Sequence, residues 1–161
     1  MSLRNSLVDI ALEWQKKFGV APQITSTLSE FDAAILIGMT ENEYSEYMKD
    51  KTAVQKGFDF IFNGIRYQIK ANRPSGKPRS EVSKVPGVSN YTWDKLIWIL
   101  YDKNYVMQEA WEWDVNDYRK MFDPKISTTR QTGGLLLAYK ARFSSRDLSP
   151  SLSLTFKPTA A

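Results

Sequence analysis

Two alternating runs of residues meet at Asn63-Gly64, and this pair restricts the fold more than any other stretch of the chain. A type I′ turn needs positive φ at both central residues, and Asn-Gly meets that need. With the turn as pivot, Phe62 is expected to face Ile65, Ile61 to face Arg66, Phe60 to face Tyr67 and Asp59 to face Gln68. Strand side chains alternate between the two faces. One face should then carry Phe58, Phe60, Phe62, Ile65, Tyr67 and Ile69. The other should carry Asp59, Ile61, Arg66, Gln68 and Lys70. Turn chemistry and apolar alternation are independent signals, and they agree on one register. The result is a carboxylate, a side-chain amide and an ammonium at the open end of one hairpin face.

The rest of the chain frames this hairpin. Leu7, Ile10, Ala11, Trp14 and Phe18 recur at helical spacing and predict an amphipathic helix over residues 6–18 that stops at Gly19. A second helix is expected over 28–38, with N-caps available from Thr25 to Thr27. Residues 41–52 are acidic and aromatic, and suit a surface helix or an ordered insertion. Residues 95–101 form a nearly continuous apolar run, as in a strand buried on both faces. Asp102 to Asn104 should turn the chain into a strand over 105–113, and Asp114 can cap a helix over 115–122. Gly133 to Phe143 and Leu152 to Phe156 each suit a strand. This order indicates an α/β protein, bordering on α+β, with helices covering a central mixed sheet. A length of 161 residues fits one domain, 1–161, with its core at about 28–122.

Cysteine and histidine are both absent. That excludes disulfides, thiolate nucleophiles, Cys/His zinc sites and histidine-based triads. A general base or metal ligand must come from Asp, Glu, Lys, Tyr, an amide or a backbone carbonyl. Oxygen ligands of this kind suit magnesium, manganese or calcium. No apolar run is long enough to span a bilayer and no signal-peptide pattern is seen, so a cytoplasmic location without membrane contact is the expectation.

The net charge of +4 is unevenly spread. Residues 29–50 are acidic, whereas residues 66–84 contain Arg66, Lys70, Arg73, Lys77, Arg79 and Lys84 against Glu81 alone. Such a block suggests an anionic partner, although a solvated basic loop would look the same. Residues 72–90 read as a long loop, and Arg73, Lys77, Arg79 and Lys84 are its candidate phosphate contacts. Ser75, Ser80 and Ser83 could add hydrogen bonds to a nucleic-acid backbone.

An Asp on one strand, Gln-x-Lys on the next and a glutamate on an earlier helix resemble the PD-(D/E)XK nuclease superfamily. Here these are Asp59, Gln68-Ile69-Lys70 and Glu30, and the pattern is similar to the Gln-x-Lys variants among Mrr-type nucleases. The resemblance implies a restriction-endonuclease-like core and metal-dependent hydrolysis of DNA phosphodiesters, in restriction, defence or repair. It makes Asp59 the central metal-binding carboxylate, with Glu30, Gln68 and the carbonyl of Ile69 as further ligands. Lys70 would orient the attacking water or stabilise charge on the phosphate. The implied ion is Mg2+, with Mn2+ as a substitute. A homodimer would supply two active sites for two strands. Gln68 departs from the usual acid and removes one negative charge from the ion's shell.

Each residue also has a plainer explanation. Thr27-Leu-Ser-Glu30 matches a capping box, and Asp32 is an alternative acid from the same helix. Asp59 and Gln68 could be a cross-strand polar pair, and Lys70 a surface lysine. Trp93, Trp98, Trp111 and Trp113 are expected mostly in the core, and Arg130 to Gly134 in a turn. Two other functions therefore stand beside the nuclease: a non-catalytic nucleic-acid-binding module on the same scaffold, and a metal-free subunit that binds a partner.

Overall fold

The Asn63-Gly64 corner forms with φ of 49° and 77°, the two positive values a type I′ turn demands. The computed structural model describes residues 2–49, 51, 57–77, 80, 87, 88 and 90–122. The strands expected at 133–143 and 152–156, the Arg130 to Gly134 turn, Arg79, Ser83 and Lys84 lie outside the described residues.

The elements run in the order α1 (Leu3–Phe18), α2 (Thr25–Leu36), α3 (Glu41–Lys49), β1 (Phe60–Phe62), β2 (Ile65–Asn72), β3 (Lys95–Tyr101), β4 (Met107–Asp114) and α4 (Val115–Phe122). The four strands form one sheet in the order β1-β2-β3-β4. β1 and β2 are antiparallel, β2 and β3 parallel, and β3 and β4 antiparallel. The sheet is therefore mixed, with helices on both faces, as an α/β chain requires. Among the described residues no helix is long and apolar enough to cross a membrane.

Alternation along β3 decides which residues reach which layer. Ile97, Ile99 and Tyr101 join Phe60, Tyr67 and Ile69 in a core under Ala33 and Ala34 of α2 and Tyr44 and Tyr47 of α3. Leu96 and Trp98 point the other way, into a cluster with Trp93, Trp111, Trp113 and Tyr118 of α4. The four tryptophans of this region are thus core residues, as expected.

The hairpin register Phe62↔Ile65, Ile61↔Arg66 and Phe60↔Tyr67 is as the turn predicts. It departs one residue further out. Asp59 lies before β1, and its N–H donates to the carbonyl of Tyr67 at 2.8 Å, the residue already paired with Phe60. Two residues set against one is the arrangement of a β-bulge, and it shifts the alternation by one. Phe58 consequently packs with the tryptophan cluster rather than beside Phe60. The expectations that Phe58 and Phe60 share a face, and that Asp59 shares the other face with Gln68 and Lys70, fail for this reason.

Two helix termini also differ from expectation. α2 begins at Thr25, so Thr27 lies inside it and the end carries no side-chain cap. The capping box occurs instead at Thr40 and Glu43. Glu43 N–H donates to Thr40 Oγ1 at 3.2 Å, and Thr40 N–H donates to the Glu43 carboxylate at 2.7 Å. α1 docks through Val8, Ala11, Leu7 and Leu12 against Leu28 and Tyr105. Ile10, Trp14 and Phe18, expected on its buried face, are exposed by 63%, 52% and 56%.

Candidate functional site

The site begins where β1 stops. In an antiparallel ladder every second N–H of β2 turns toward β1, and Ile69 is next in that series after Ile65 and Tyr67. The Ile69 N–H finds the Asp59 side chain instead, donating to Oδ2 at 2.5 Å. Gln68 Nε2 donates to the same oxygen at 2.6 Å and to the Ile69 carbonyl at 3.4 Å. Both strong donors converge on Oδ2. Among the described residues Oδ1 has no hydrogen bond, which makes it the oxygen available to a cation. Gln68 is buried, so its amide is a fixed orienting group rather than a surface side chain.

Asp59 is half-buried, and burial pushes its carboxyl above the usual value. The Ile69 N–H, the positive charge of Lys70 and the Gln68 amide oppose that rise. Glu30 approaches from α2. Burial and then the charge of Asp59 push its carboxyl up to about 7. Among the described residues the Glu30 carboxylate has no hydrogen bond and no ion pair. The capping explanation for Glu30 fails because the helix starts three residues earlier than the box requires. Two carboxylates thus share one neighbourhood, and Lys70 is the cation whose charge Asp59 feels.

Glu30 and Lys70 line a cleft of about 490 Å3, together with Pro22, Ser26, Ser29 and Arg73 among others. The cleft lies between the start of α2 and the C-terminal half of β2. Tyr44 of α3 was not foreseen as a member of this neighbourhood. Its ring packs on Phe60, with centroids 6.4 Å apart. Burial, then the charges of Glu30 and Asp59, push its hydroxyl up to about 12. The sequence signal was the tyrosine three residues after Glu41, on a short helix just upstream of the hairpin.

Other expected residues are committed elsewhere. Asp32 takes two bonds from Arg4, from Nε and Nη2, both at 2.7 Å, and one from the Tyr101 hydroxyl at 2.7 Å. It holds α1, α2 and β3 together and is not an alternative site acid. Arg73 lines the cleft, but its guanidinium donates to Gln15 Oε1 at 2.6 Å and to the Lys103 carbonyl, and lies 4.1 Å from the Tyr105 ring centroid. That makes Arg73 a wall of the cleft rather than a free phosphate contact. The Lys77 side chain is exposed, whereas Ser80 Oγ accepts from the Ser75 N–H at 2.7 Å.

Among the described residues no three Asp or Glu side chains gather at one point. The groups that could contribute to holding a cation are Asp59 Oδ1, the Glu30 carboxylate, Gln68 Oε1 and the Ile69 carbonyl. Magnesium binds through one or two carboxylates and fills its remaining positions with waters and substrate phosphate. The two acids meet that requirement, and their mutual repulsion is what a cation would relieve. In comparisons with known proteins, no family model matches the chain and no curated protein matches it significantly.

Proposed function

We propose that the chain is a metal-dependent DNA endonuclease with a restriction-endonuclease-like core, similar to Gln-x-Lys members of the PD-(D/E)XK nucleases. The observation that supports this reading is the meeting of Glu30 and Asp59 beside a cleft lined by Lys70. Like charges brought together from a helix and a hairpin, with no ion pair for Glu30 among the described residues, suit a cation better than they suit a stable core.

Asp59 and Glu30 would hold Mg2+, or Mn2+, with Gln68 Oε1 and the Ile69 carbonyl as neutral ligands. The bound ion supplies Lewis acidity and a water of lowered pKa. Lys70, which lines the cleft, would stabilise negative charge developing on the phosphate. Gln68 keeps Oδ2 of Asp59 occupied, which would leave Oδ1 for the ion. Glu30, whose carboxyl is pushed up to about 7, would hold the ion in its ionised form. The exposed Lys77, with Arg79 and Lys84 of the same basic loop, would contact the DNA backbone. The setting is cytoplasmic, in restriction, defence or repair, and a homodimer would cut both strands.

The test is incubation of DNA with Mg2+ or Mn2+, with EDTA, and with the Lys70→Ala protein. Cleavage by the parent that disappears in EDTA and in the variant is the expected result. Salt-sensitive binding without cleavage under either metal would assign the non-catalytic module instead. Absence of both cleavage and binding would overturn the nucleic-acid reading.

A further inference from the structure

Four of the five tryptophans are in the core, with exposures from 1% at Trp93 to 9% at Trp113. Trp14 is different. It is 52% exposed and lies against Phe18, itself 56% exposed, with ring centroids 4.5 Å apart at 48°. Exposed aromatic pairs are expensive in water and call for an occupant. The charges around this pair select one. Lys16 and Lys17 are in the same last turn of α1, and Lys17 Nζ is 5.4 Å from the Phe18 ring centroid. Between Ile10 and Phe18 the helix carries one acid, Glu13, against these two lysines. Aromatic faces flanked by ammonium groups are the recognition chemistry of nucleobases on a phosphate backbone.

Position supports the same occupant. Gln15, the residue after Trp14, accepts from Arg73, which lines the cleft. Gly19 and Val20 lead from Phe18 into Ala21 and Pro22, which line it too. The C-terminal end of α1 and the cleft therefore share a wall. We infer that Trp14 and Phe18 form a stacking platform for unpaired bases, so that the substrate of the neighbouring site has a single-stranded segment. This rests on the nuclease reading for its biological setting, but binding can be measured without cleavage.

The experiment uses the full chain in EDTA, with a labelled oligothymidylate of about 15 nucleotides and a blunt duplex of the same length. Trp14→Ala should weaken single-strand binding about 5- to 100-fold and leave the blunt duplex nearly unchanged. Trp14→Phe should recover most of the affinity, because any aromatic face stacks. Thermal unfolding controls for folding, and an exposed ring predicts little change. The oligothymidylate should also quench the exposed indole of the parent. Equal loss for both DNA forms, or no loss, overturns the platform. A dimer in sedimentation that Trp14→Ala dissociates would assign this face to a second copy and also overturn it. Trp14-dependent strand binding without cleavage under Mg2+ or Mn2+ would leave the platform standing and remove the nuclease. Cleavage with no dependence on Trp14 would do the reverse.

Discussion

Asp32 and Glu30 are two residues apart on α2 and have opposite surroundings. Asp32 is buried with two bonds from Arg4 and one from Tyr101, so its charge is matched and its lone pairs are filled. Glu30 is partly buried next to another carboxylate, and its own carboxylate has neither bond nor ion pair among the described residues. The same side-chain chemistry thus serves as a tie in one place and as strain in the other. Burial alone does not separate the two uses. What separates them is whether the surroundings satisfy the charged form.

The largest expected effect tests the satisfied half. Asp32→Ala should lower unfolding free energy by about 3–5 kcal/mol in urea denaturation, toward the lower end because Arg4 keeps some contact with water. Loss below about 1 kcal/mol would break the contrast, since it would make the network no better than a surface pair. The next effect tests the unsatisfied half. Glu30→Gln should cut metal-dependent cleavage by about 100-fold or more and yet leave the free protein more stable at pH 8.

The sign follows from the raised carboxyl. The folded value is about 7 and the ordinary value is 4.5, so between these the folded state binds more protons than the unfolded one. Stability is therefore full below the lower value and falls as pH rises through that window. Solvent screening at a partly exposed group limits the fall to about 1–2 kcal/mol. A pH series of melts should show this slope in the parent and a flatter profile in Glu30→Gln.

A third change sharpens the comparison by adding charge. Gln68→Glu would place a carboxylate where a donor now meets Asp59 at 2.6 Å. Metal affinity by calorimetry should rise, and stability without metal should fall by about 1–3 kcal/mol. The smallest effect concerns a carboxylate satisfied in a third way. Thr40→Ala removes the partner of Glu43 at the start of α3 and should cost about 0.5–1 kcal/mol, read from urea midpoints.

The turn, the inner hairpin register and the β3 run were legible because local chemistry dictates them. Asn63-Gly64 needs no tertiary partner to specify its φ values, and Leu96 to Ile99 is too apolar to lie anywhere but inside. The meeting of Asp59 with Gln68 was legible for the same reason. Its mechanism was not, because a bulge depends on how the chain enters the sheet. Helix α1 misled for a related reason. Its apolar stripe through Ile10, Trp14 and Phe18 is the stronger periodic signal, but docking is decided by the Arg4 to Asp32 tie, across 28 residues. The Ser/Thr-x-x-Glu pattern occurs at both Thr27 and Thr40. Only the latter stands at a helix start, a distinction that packing makes and spacing cannot.

The doubled residue opposite Tyr67 makes the aim of Asp59 a matter of counting. Deleting Phe58, the residue ahead of the acid, would restore even alternation while sparing the corner, at the cost of one packing partner of the tryptophan layer. The acid would then swing toward the tryptophan layer, away from Glu30. The length of this short lead-in, more than its composition, sets the direction of the carboxylate, and any redesign of the hairpin has to preserve that odd step.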